Sequence, residues 1–227
     1  MTLLSVVKDV CAVVGVLQPQ SVFSNITGNR TMQEMLALAN EMAQRIAYDT
    51  RDWTELRTIK LGGIFGDNGA VFPLPDNFKR MLLTSNVRRS TNLTTPLRFI
   101  PDLDEWLTRR ARNVSGSPGE WMIANGQIFV DPPLGPDEAI HFPYMDKNCI
   151  RMTPNGLTDT FTNDGDTFRL DERLLKLGMI WQWKAQKGSA YAEDMGTYGD
   201  ALTNAMGHDS PAPVLISGRS FHAYSTW

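Results

Sequence analysis

Apolar residues recur every three or four positions near the N-terminus, which is the spacing of one face of an α-helix. The first such segment runs from Leu3 to Leu17 and is closed by Pro19. In the second segment, Thr31 and Glu34 have the spacing of a capping box, and an apolar stripe continues from there to Ile46. The pattern therefore predicts two amphipathic helices in the first part of the chain.

The helical spacing returns near the C-terminus. A third helix is predicted to begin at Asp171 and to end before Gly188, and a fourth is predicted to end at Gly207. Because the link between them is short, we expect the two helices to be antiparallel. Trp181 lies on the apolar stripe of the third helix and is predicted to be in the core. Trp183 is displaced from that stripe, which favours packing at an interface or a domain junction.

Between the helical ends, the pattern changes to short apolar runs broken by turns, as in β-strands. Asn125-Gly126 separates two such runs and predicts a tight hairpin. The run Ala139 to Tyr144 contains Pro143, which lacks an N–H donor and therefore predicts an edge strand. A short helix is predicted from Asp102 to Arg112. Four earlier strands are predicted at Trp53 to Leu61, Ala70 to Leu74, Arg80 to Val87 and Pro96 to Ile100.

The helical pattern stops at Gly207, and the last part of the chain is predicted to be an extended arm stiffened by Pro211 and Pro213. An arm of this length cannot form a core of its own, so we expect its apolar and aromatic side chains to dock on another protein surface. These candidate interaction residues are Val214, Leu215, Ile216, Phe221, Tyr224 and Trp227.

The order of the predicted elements indicates an α+β fold in which a strand-rich β domain is inserted between two halves of a helical bundle. We predict that residues 1–50 form the N-terminal helices of the bundle and residues 51–168 the inserted β domain with one short helix. Residues 169–207 are predicted to form the C-terminal helix pair, and residues 208–227 the extended arm.

Composition narrows the functional classes. Hydrophobic residues make up 42% of the 227 residues and charged residues 21%, as in ordinary soluble globular proteins. The formal net charge of -3 gives no general attraction to nucleic acid, which disfavours sequence-specific DNA binding. No segment approaches the ~20 uninterrupted apolar residues of a membrane-spanning helix, so we expect no membrane insertion. The isolated Cys11 and Cys149 favour a reducing compartment.

Candidate catalytic or metal-binding residues are few. None of the three histidines has metal-ligand spacing to another His or Cys, so we expect no metal and no other cofactor. Asp159, Asp164 and Asp166 lie in an acidic segment that we interpret as a solvated turn. The same three residues with His141 are the candidates for a small hydrolase with an unfamiliar site. Because no nucleophile motif is present, the sequence favours a protein without enzymatic activity.

Three phrases of the sequence resemble the head-to-tail adaptor family of tailed bacteriophages. This family includes the tail tubular protein A and tail accessory factor type proteins of short-tailed phages. The first phrase is Tyr48-Asp49 followed by Trp53, the second is Phe72 to Arg80, and the third is Phe168 to Gly178 with its continuation Trp181 to Lys184. The likeness covers most of residues 1–207.

The resemblance implies a structural protein of the virion, made in the cytoplasm of the bacterial host. Its members form a ring, twelve-fold in the expected form, that docks under the portal protein after DNA packaging and carries the downstream nozzle or tail-tube proteins. Genomic DNA would pass through the ring without sequence-specific contact. The arm, residues 208–227, would reach the portal or a neighbouring subunit. A different ring-forming virion part, such as a head-completion or tail-tube subunit, is the alternative.

In such a ring, the dense basic positions of the chain become candidate contacts. They are Arg88, Arg89, Arg109, Arg110 and Arg112. Long cationic side chains in such places usually form a solvated face. The functional alternatives are ion pairs with acidic patches of neighbouring subunits and contacts with the passing DNA backbone, and we favour the subunit contacts.

Overall fold

The computed structural model describes residues 1–24, 26, 28–60, 65–66, 69–82, 85–112, 116 and 118–209. The chain is 40% helical and 21% strand, with several β-sheets, which confirms the α+β class. In the described residues the α-helices are α1 (Leu3–Val14), α2 (Arg30–Tyr48), α3 (Leu103–Ala111), α4 (Glu172–Gln186) and α5 (Ala192–Asp209).

The strands of the described residues form three sheets, and most of them are short. They are β1 (Arg57–Lys60), β2 (Phe65–Gly66), β3 (Val71–Pro73), β4 (Phe78–Met81), β5 (Arg88–Arg89), β6 (Arg98–Phe99), β7 (Glu120–Ala124), β8 (Gln127–Asp131), β9 (Glu138–Asp146), β10 (Ile150–Arg151), β11 (Leu157–Thr158) and β12 (Thr167–Phe168).

Helix α1 is shorter than the apolar spacing predicts. Gly15 adopts a φ of 74°, a left-handed conformation that glycine tolerates without steric cost, and its N–H donates to the carbonyl oxygen of Cys11. The helix therefore ends at Val14. Leu17, the last apolar residue of the predicted helix, is 90% exposed, so the prediction was wrong at this end.

Helix α2 starts at a different cap from the predicted one. The side-chain oxygen of Asn29 accepts a hydrogen bond from the backbone N–H of Met32 at 3.3 Å, so Asn29 is the N-cap. Thr31 lies inside the first turn, and the predicted capping box is wrong. Glu34, its expected second member, accepts a hydrogen bond from the ammonium group of Lys187 at 2.5 Å.

Helices α4 and α5 are antiparallel, as predicted. The ammonium group of Lys184 lies 2.6 Å from the Asp194 carboxylate, and the rings of Trp181 and Tyr198 are 6.2 Å apart, so residues late in α4 meet residues early in α5. Asp171 caps α4 as expected, through a 2.8 Å bond from the N–H of Arg173. Helix α5 continues past the predicted end to Asp209.

The burial of the two tryptophans of α4 is the reverse of the predicted order. Helix α4 packs against α1, α2 and α5, so side chains on most of its circumference are withdrawn from water. Trp183 is buried among the helices, whereas Trp181 is half-buried beside Tyr198. The prediction assumed that only one stripe of α4 is covered.

The helices share one hydrophobic core with the end of β9 and the segment that follows it. Met145, Cys149, Ile150, Phe161 and Phe168 pack in the same cluster as α1, α2 and α4. The three-stranded sheet β11-β10-β12 thus lies against the helical core. Cys11 and Cys149 are both buried there as free thiols, and burial raises the pKa of Cys149 to about 11.

Strand β9 is the centre of a sheet and not the predicted edge. It pairs antiparallel with β1 and β2, and also with β4 and β5. Pro143 lies opposite Ile59 of β1. On the other side, β4 ends opposite Tyr144 and β5 meets β9 at His141, so the proline occupies a gap between two strand partners among the described residues. A central strand accommodates the missing N–H at such a position.

The hairpin predicted at Asn125-Gly126 is confirmed. Asn125 has a φ of 48° and Gly126 a φ of 71°, as the favoured two-residue hairpin turn requires, and β7 pairs antiparallel with β8 directly on either side. These strands form a four-stranded sheet in the order β3-β8-β7-β6. Helix α3, capped by Asp102 as predicted, covers part of it through the buried Trp106.

All four earlier strands differ from their predicted extents: β3 and β6 are shorter at both ends than predicted, and the other two begin at different residues. Thr54–Leu56 is a 3-10 turn, so the strand expected from Trp53 begins only at Arg57. The strand expected from Arg80 to Val87 starts earlier, as β4, and ends at Met81. The prediction was wrong because apolar runs alone do not reveal where the backbone pairing stops.

A second hydrophobic cluster lies between the central sheet and the four-stranded sheet. Phe142 and Ile140 of β9 are fully buried in it. Its other buried members are Phe72, Val87, Leu97, Trp121, Ile128, Val130, Leu134 and Tyr144. In the part of the chain that the structure describes, no helix is long and apolar enough to cross a membrane.

Gly119 is a position where a side chain should not be tolerated. Its φ is 120°, and an added Cβ would lie 2.8 Å from the backbone oxygen of Asp131 and 3.0 Å from Leu97. We expect Gly119→Ala to lower the free energy of unfolding by about 2–4 kcal/mol, measured by urea denaturation. Gly199→Ala is the control, because it adds a Cβ in a helix with no neighbour within 4 Å. An unchanged free energy of unfolding of the Gly119 variant would contradict this account of the close contact at Gly119.

Candidate interaction surfaces

A buried ion pair joins the central strand to the start of α4. Nη1 of Arg169 lies 3.0 Å from Oδ2 of Asp146, and the two side chains are only 10% and 5% exposed. The same guanidinium donates to the carbonyl oxygens of Asn148, at 2.7 Å, and Glu55, at 2.5 Å. One side chain therefore holds the end of β9, the following turn and the 3-10 turn before β1.

The end of α2 meets the same place. The hydroxyl group of Tyr48 donates to the carbonyl oxygen of Lys147, and the ammonium group of Lys79 lies 4.7 Å from the centre of the Tyr48 ring. Burial raises the pKa of Tyr48, so its hydroxyl group remains a protonated donor. Trp53 Nε1 donates to the carbonyl oxygen of Ile46 at 2.6 Å, which fixes the chain as it leaves α2.

The segment before and within β4 completes this arrangement. The carbonyl oxygen of Asn77 accepts from the N–H of Lys147 at 2.8 Å, and its side-chain oxygen accepts from the Tyr144 hydroxyl group at 2.8 Å. Arg80 forms an ion pair with Asp52 at 2.6 Å. All three phrases that carry the family resemblance thus contribute to one place. We call it the junction, defined by Tyr48, Trp53, Asn77, Arg80, Asp146 and Arg169.

Arg89, a predicted contact residue, is bound within the chain. Its guanidinium lies 2.9 Å from the Glu138 carboxylate, and the two side chains are 11% and 10% exposed. Glu138 also accepts from the Thr91 hydroxyl group at 2.6 Å and from the N–H of Gly135 at 2.9 Å. These bonds attach β5 and the loop before β9 to the central strand, which is a structural role.

Arg109 is bound in a similar way. Its Nε donates to the Glu120 carboxylate at 2.8 Å, and the Glu120 side chain is 2% exposed. Arg88, Arg110 and Arg112 form no ion pair with another residue that the structure describes; Arg110 and Arg112 are exposed, and Arg88 is half-buried. Of the five arginines predicted as contact residues, two therefore have a structural role and three remain available to contact a partner.

Asp166 organises a loop instead of lying in a solvated turn. It is fully buried, and its carboxylate accepts from the backbone N–H groups of Thr153, Thr162 and Asn163 at 3.0, 2.7 and 2.8 Å. Burial by itself raises the pKa of Asp166, but these donors outweigh it and hold the pKa below its ordinary value. The expectation of a solvated turn is wrong at this residue.

The other residues that were candidates for a hydrolase site lie in different parts of the structure. The Asp164 carboxylate accepts from the N–H of Val22 at 2.8 Å, and Asp159 is exposed. His141 lies on β9 opposite Arg88, in the other sheet region. Among the described residues, no group of three or more His, Cys, Asp or Glu side chains is placed to hold a metal ion.

Exposed apolar side chains mark surfaces that the sequence pattern did not reveal. On and beside α3, Phe99 is 51% exposed, Leu103 is 53% exposed and Leu107 is 54% exposed. At α5, Tyr191 is 41% exposed and Met195 is 51% exposed. The signal available in the sequence was the spacing of the two leucines, which places them next to each other on α3.

Grooves lie beside the helices. One, of about 480 Å³, is lined by Leu17 and Pro19 of the link between α1 and α2 and by Met32 of α2. Another, of about 320 Å³, lies between α2 and α4. A third, of about 260 Å³, lies between α2, α4 and α5 and is lined by Met42, Arg45, Asp49, Thr50, Trp181 and Tyr198. The candidate arm residues Val214, Leu215, Ile216, Phe221, Tyr224 and Trp227 lie outside the described residues.

A scan against protein-family models found no match, and a search of curated proteins found no relative. The family resemblance therefore depends on the three sequence phrases and on the contacts that their residues make.

Removal of the Arg169 guanidinium should destabilise the protein strongly, because it leaves the Asp146 carboxylate buried without its cation. We expect Arg169→Met to lower the free energy of unfolding by about 3–5 kcal/mol in urea denaturation. Replacement of both partners, Arg169→Met with Asp146→Leu, should recover part of this loss.

The matched control is Arg151→Met. Arg151 forms a 2.6 Å pair with Glu55, but the two side chains are 57% and 48% exposed. Its loss should cost no more than about 1 kcal/mol. Equal effects of the Arg169 and Arg151 substitutions would contradict the special role of the buried pair.

The lowered pKa of Asp166 predicts a pH dependence of stability. Its contribution is present above the unfolded-state pKa, about 3.9, and is lost as the pH falls through the folded-state value. We expect Asp166→Asn to cost about 2–3 kcal/mol at pH 7 and progressively less as the pH falls below about 3.9, measured by urea denaturation over a series of pH values. The exposed Asp159→Asn is the control. A cost independent of pH would argue against the charged carboxylate as the stabilising species.

Proposed function

We propose that this chain is a structural subunit of the head-to-tail adaptor ring of a tailed bacteriophage, which docks under the portal protein and joins the DNA-filled capsid to the tail. The observation that carries the proposal is the convergence at the junction of three phrases that are distant in sequence. Tyr48 and Trp53 come from the first phrase, Asn77 and Arg80 from the second, and Arg169 from the third. Three phrases whose residues meet at one place support an architecture shared with the adaptor family better than three unconnected sequence matches would.

The architecture that we propose is a helical bundle carrying an inserted β domain. Helices α1, α2, α4 and α5 would form the bundle, since α4 packs against the other three. The strands from β1 to β9 would form the inserted domain. Because Cys149, Ile150, Phe161 and Phe168 pack with the helices, we assign residues 149–168 to the bundle side of the boundary.

The distribution of charge supports a conduit that does not retain DNA. Each Lys or Arg that contacts phosphate adds salt-dependent affinity, which would slow a passing duplex. The net charge of the chain is -3, and the Arg89 and Arg109 side chains are held by Glu138 and Glu120. Of the five predicted basic positions, these two are bound within the chain, and Arg88, Arg110 and Arg112 remain available to contact a phosphate backbone.

Ring formation needs two different surfaces on one subunit, because a head-to-tail interface closes only between unlike faces. The exposed apolar side chains on α3 and at α5 provide two separate surfaces in the described residues. The arm would add a third contact, with the portal protein or a neighbouring subunit. In this proposal the assembled protein lies where the head of the virion meets the tail.

The decisive experiment is cryo-electron microscopy of the phage neck, with this chain traced from its side-chain density. We expect a ring, twelve-fold in the proposed form, between the portal and the nozzle or tail-tube proteins. A position inside the tail tube or in a head-completion ring would replace the adaptor proposal with its alternative. A position in the capsid shell or tail fibres, or absence from the virion, would overturn both.

Deletion of residues 210–227 separates assembly from folding. The cut is made after Asp209 because the Asp209 carboxylate accepts from the N–H of Thr54 at 3.1 Å and lies 3.4 Å from Nε of Arg51. We expect the shortened chain to keep its thermal stability and to lose most of its binding to portal particles, measured by co-sedimentation. A shortened chain that binds the portal as well as the full chain would refute the proposed role of the arm.

A further inference from the structure

The end of α5 is fastened to the residues that follow α2. The guanidinium of Arg51 donates to the carbonyl oxygen of Met206, and its Nε lies 3.4 Å from the Asp209 carboxylate. That carboxylate also accepts from the backbone N–H of Thr54 at 3.1 Å, and the Thr54 hydroxyl group donates to the carbonyl oxygen of Asp209 at 3.3 Å. We call Arg51, Thr54 and Asp209 the anchor.

The last turn of α5 depends on contacts from outside the helix. Gly207 lies within it, and glycine is among the least favourable residues in a helix. The carboxylate of Asp209 lies at the negative end of the helix dipole, which is also unfavourable. The last four carbonyl groups of a helix have no partner within it, and here those of Met206 and Asp209 accept from Arg51 and Thr54. The anchor therefore keeps α5 helical up to Asp209.

The anchor is continuous with the junction. Arg51 and Thr54 lie on either side of Trp53, which belongs to the junction. The carbonyl oxygen of Glu55, next to Thr54, accepts from Arg169 at 2.5 Å. The last residue of α5 is thus fixed relative to the segments that the junction holds together.

We propose that Arg51, Thr54 and Asp209 are positioning residues for the arm. They fix the place and the direction in which the arm, from residue 210 onward, leaves the subunit. This inference rests on the proposed function, because it is the proposed docking of the arm that gives its direction a purpose.

The reach of the arm shows why its starting point matters. Pro211 and Pro213 predict an extended start, in which each residue advances about 3.1 Å, so Val214 would lie about 15 Å from Asp209. With a free pivot at Asp209, Val214 would be spread over a wide area. A fixed pivot would direct it to one part of the partner and so raise its effective concentration there.

Distances between spin labels test the anchor in the full chain without any partner. One label is attached at Thr197→Cys, an exposed position of α5, and the other at Ser217→Cys in the arm. The native Cys11 and Cys149 are buried and should stay unlabelled. We expect Asp209→Ala to widen the distribution of label distances at least about twofold, measured by double electron–electron resonance.

Thr54→Pro breaks the anchor from the other side. Thr54 is the first residue of the 3-10 turn, and Trp53 before it has a φ of -68° and a ψ of 135°, which a following proline permits. The substitution removes both donors to Asp209 and should widen the distribution in the same way.

Asp200→Ala is the control, because it removes an exposed carboxylate of α5 that forms no ion pair with other described residues. It should leave the distribution of label distances unchanged. An unchanged distribution in either anchor variant, or an equal widening in the control, would overturn the proposal.

A double-mutant cycle tests whether the position of the arm matters for binding. In the full chain, Asp209→Ala should weaken binding to portal particles about tenfold, measured by co-sedimentation. In the chain that ends after Asp209, the same substitution should have no effect on the residual binding. Equal weakening in both chains would show a role in stability alone, and unchanged binding of the full-length variant would show no role in docking.

The two levels of failure are distinguishable. If the unmodified chain does not bind portal particles, the proposed function fails, whereas the label distances still decide whether the anchor fixes the arm. If the unmodified chain binds the portal but the anchor variants neither widen the distances nor weaken the binding, only the positioning role is overturned.

Discussion

The buried pair of Arg169 and Asp146 is the interaction on which the arrangement of the chain depends. Two charges that are nearly withdrawn from water tolerate little separation, because each would otherwise face a desolvation penalty of several kcal/mol. Arg169 also binds the carbonyl oxygens of Asn148 and Glu55. The central strand, the chain leaving α2 and the start of α4 are therefore held in one relative position.

The other buried carboxylates are used in the same way. Glu138 is held by Arg89, Glu120 by Arg109, and Asp166 by backbone N–H groups of its own loop. Ionised groups that are satisfied inside the fold cannot at the same time contact a partner. What the described surface offers to a partner is thus mainly exposed apolar side chains, such as Leu103 and Leu107, and exposed charges, such as Arg110.

Sequence patterns predicted correctly those features that depend only on a few neighbouring residues. The hairpin at Asn125-Gly126 and the cap of α3 depend on a few adjacent residues, and both were predicted correctly. Trp183 was misassigned because its burial depends on how many helices surround α4, and Pro143 because a strand's place in a sheet depends on both neighbours. The Arg88-Arg89 doublet of the candidate site could be seen in the sequence. That Glu138 is the partner of Arg89 could not be predicted, because the pairing of β5 with β9 brings the two side chains together.

The stiffness of the junction would matter in a ring because a ring closes only when the angle between neighbouring subunits has one particular value. A head-to-tail contact repeats the same rotation at every step, and the ring closes only if that rotation divides a full turn. In the proposed ring, the helical bundle and the inserted β domain of each subunit would meet at the junction, so the angle between their surfaces would be set there. A junction held only by exposed ion pairs, worth about 0–1 kcal/mol each, would leave that angle variable and favour open or irregular assemblies. The buried guanidinium of Arg169, with its several hydrogen bonds, holds these segments in one relative position, which would keep that angle constant in the proposed ring.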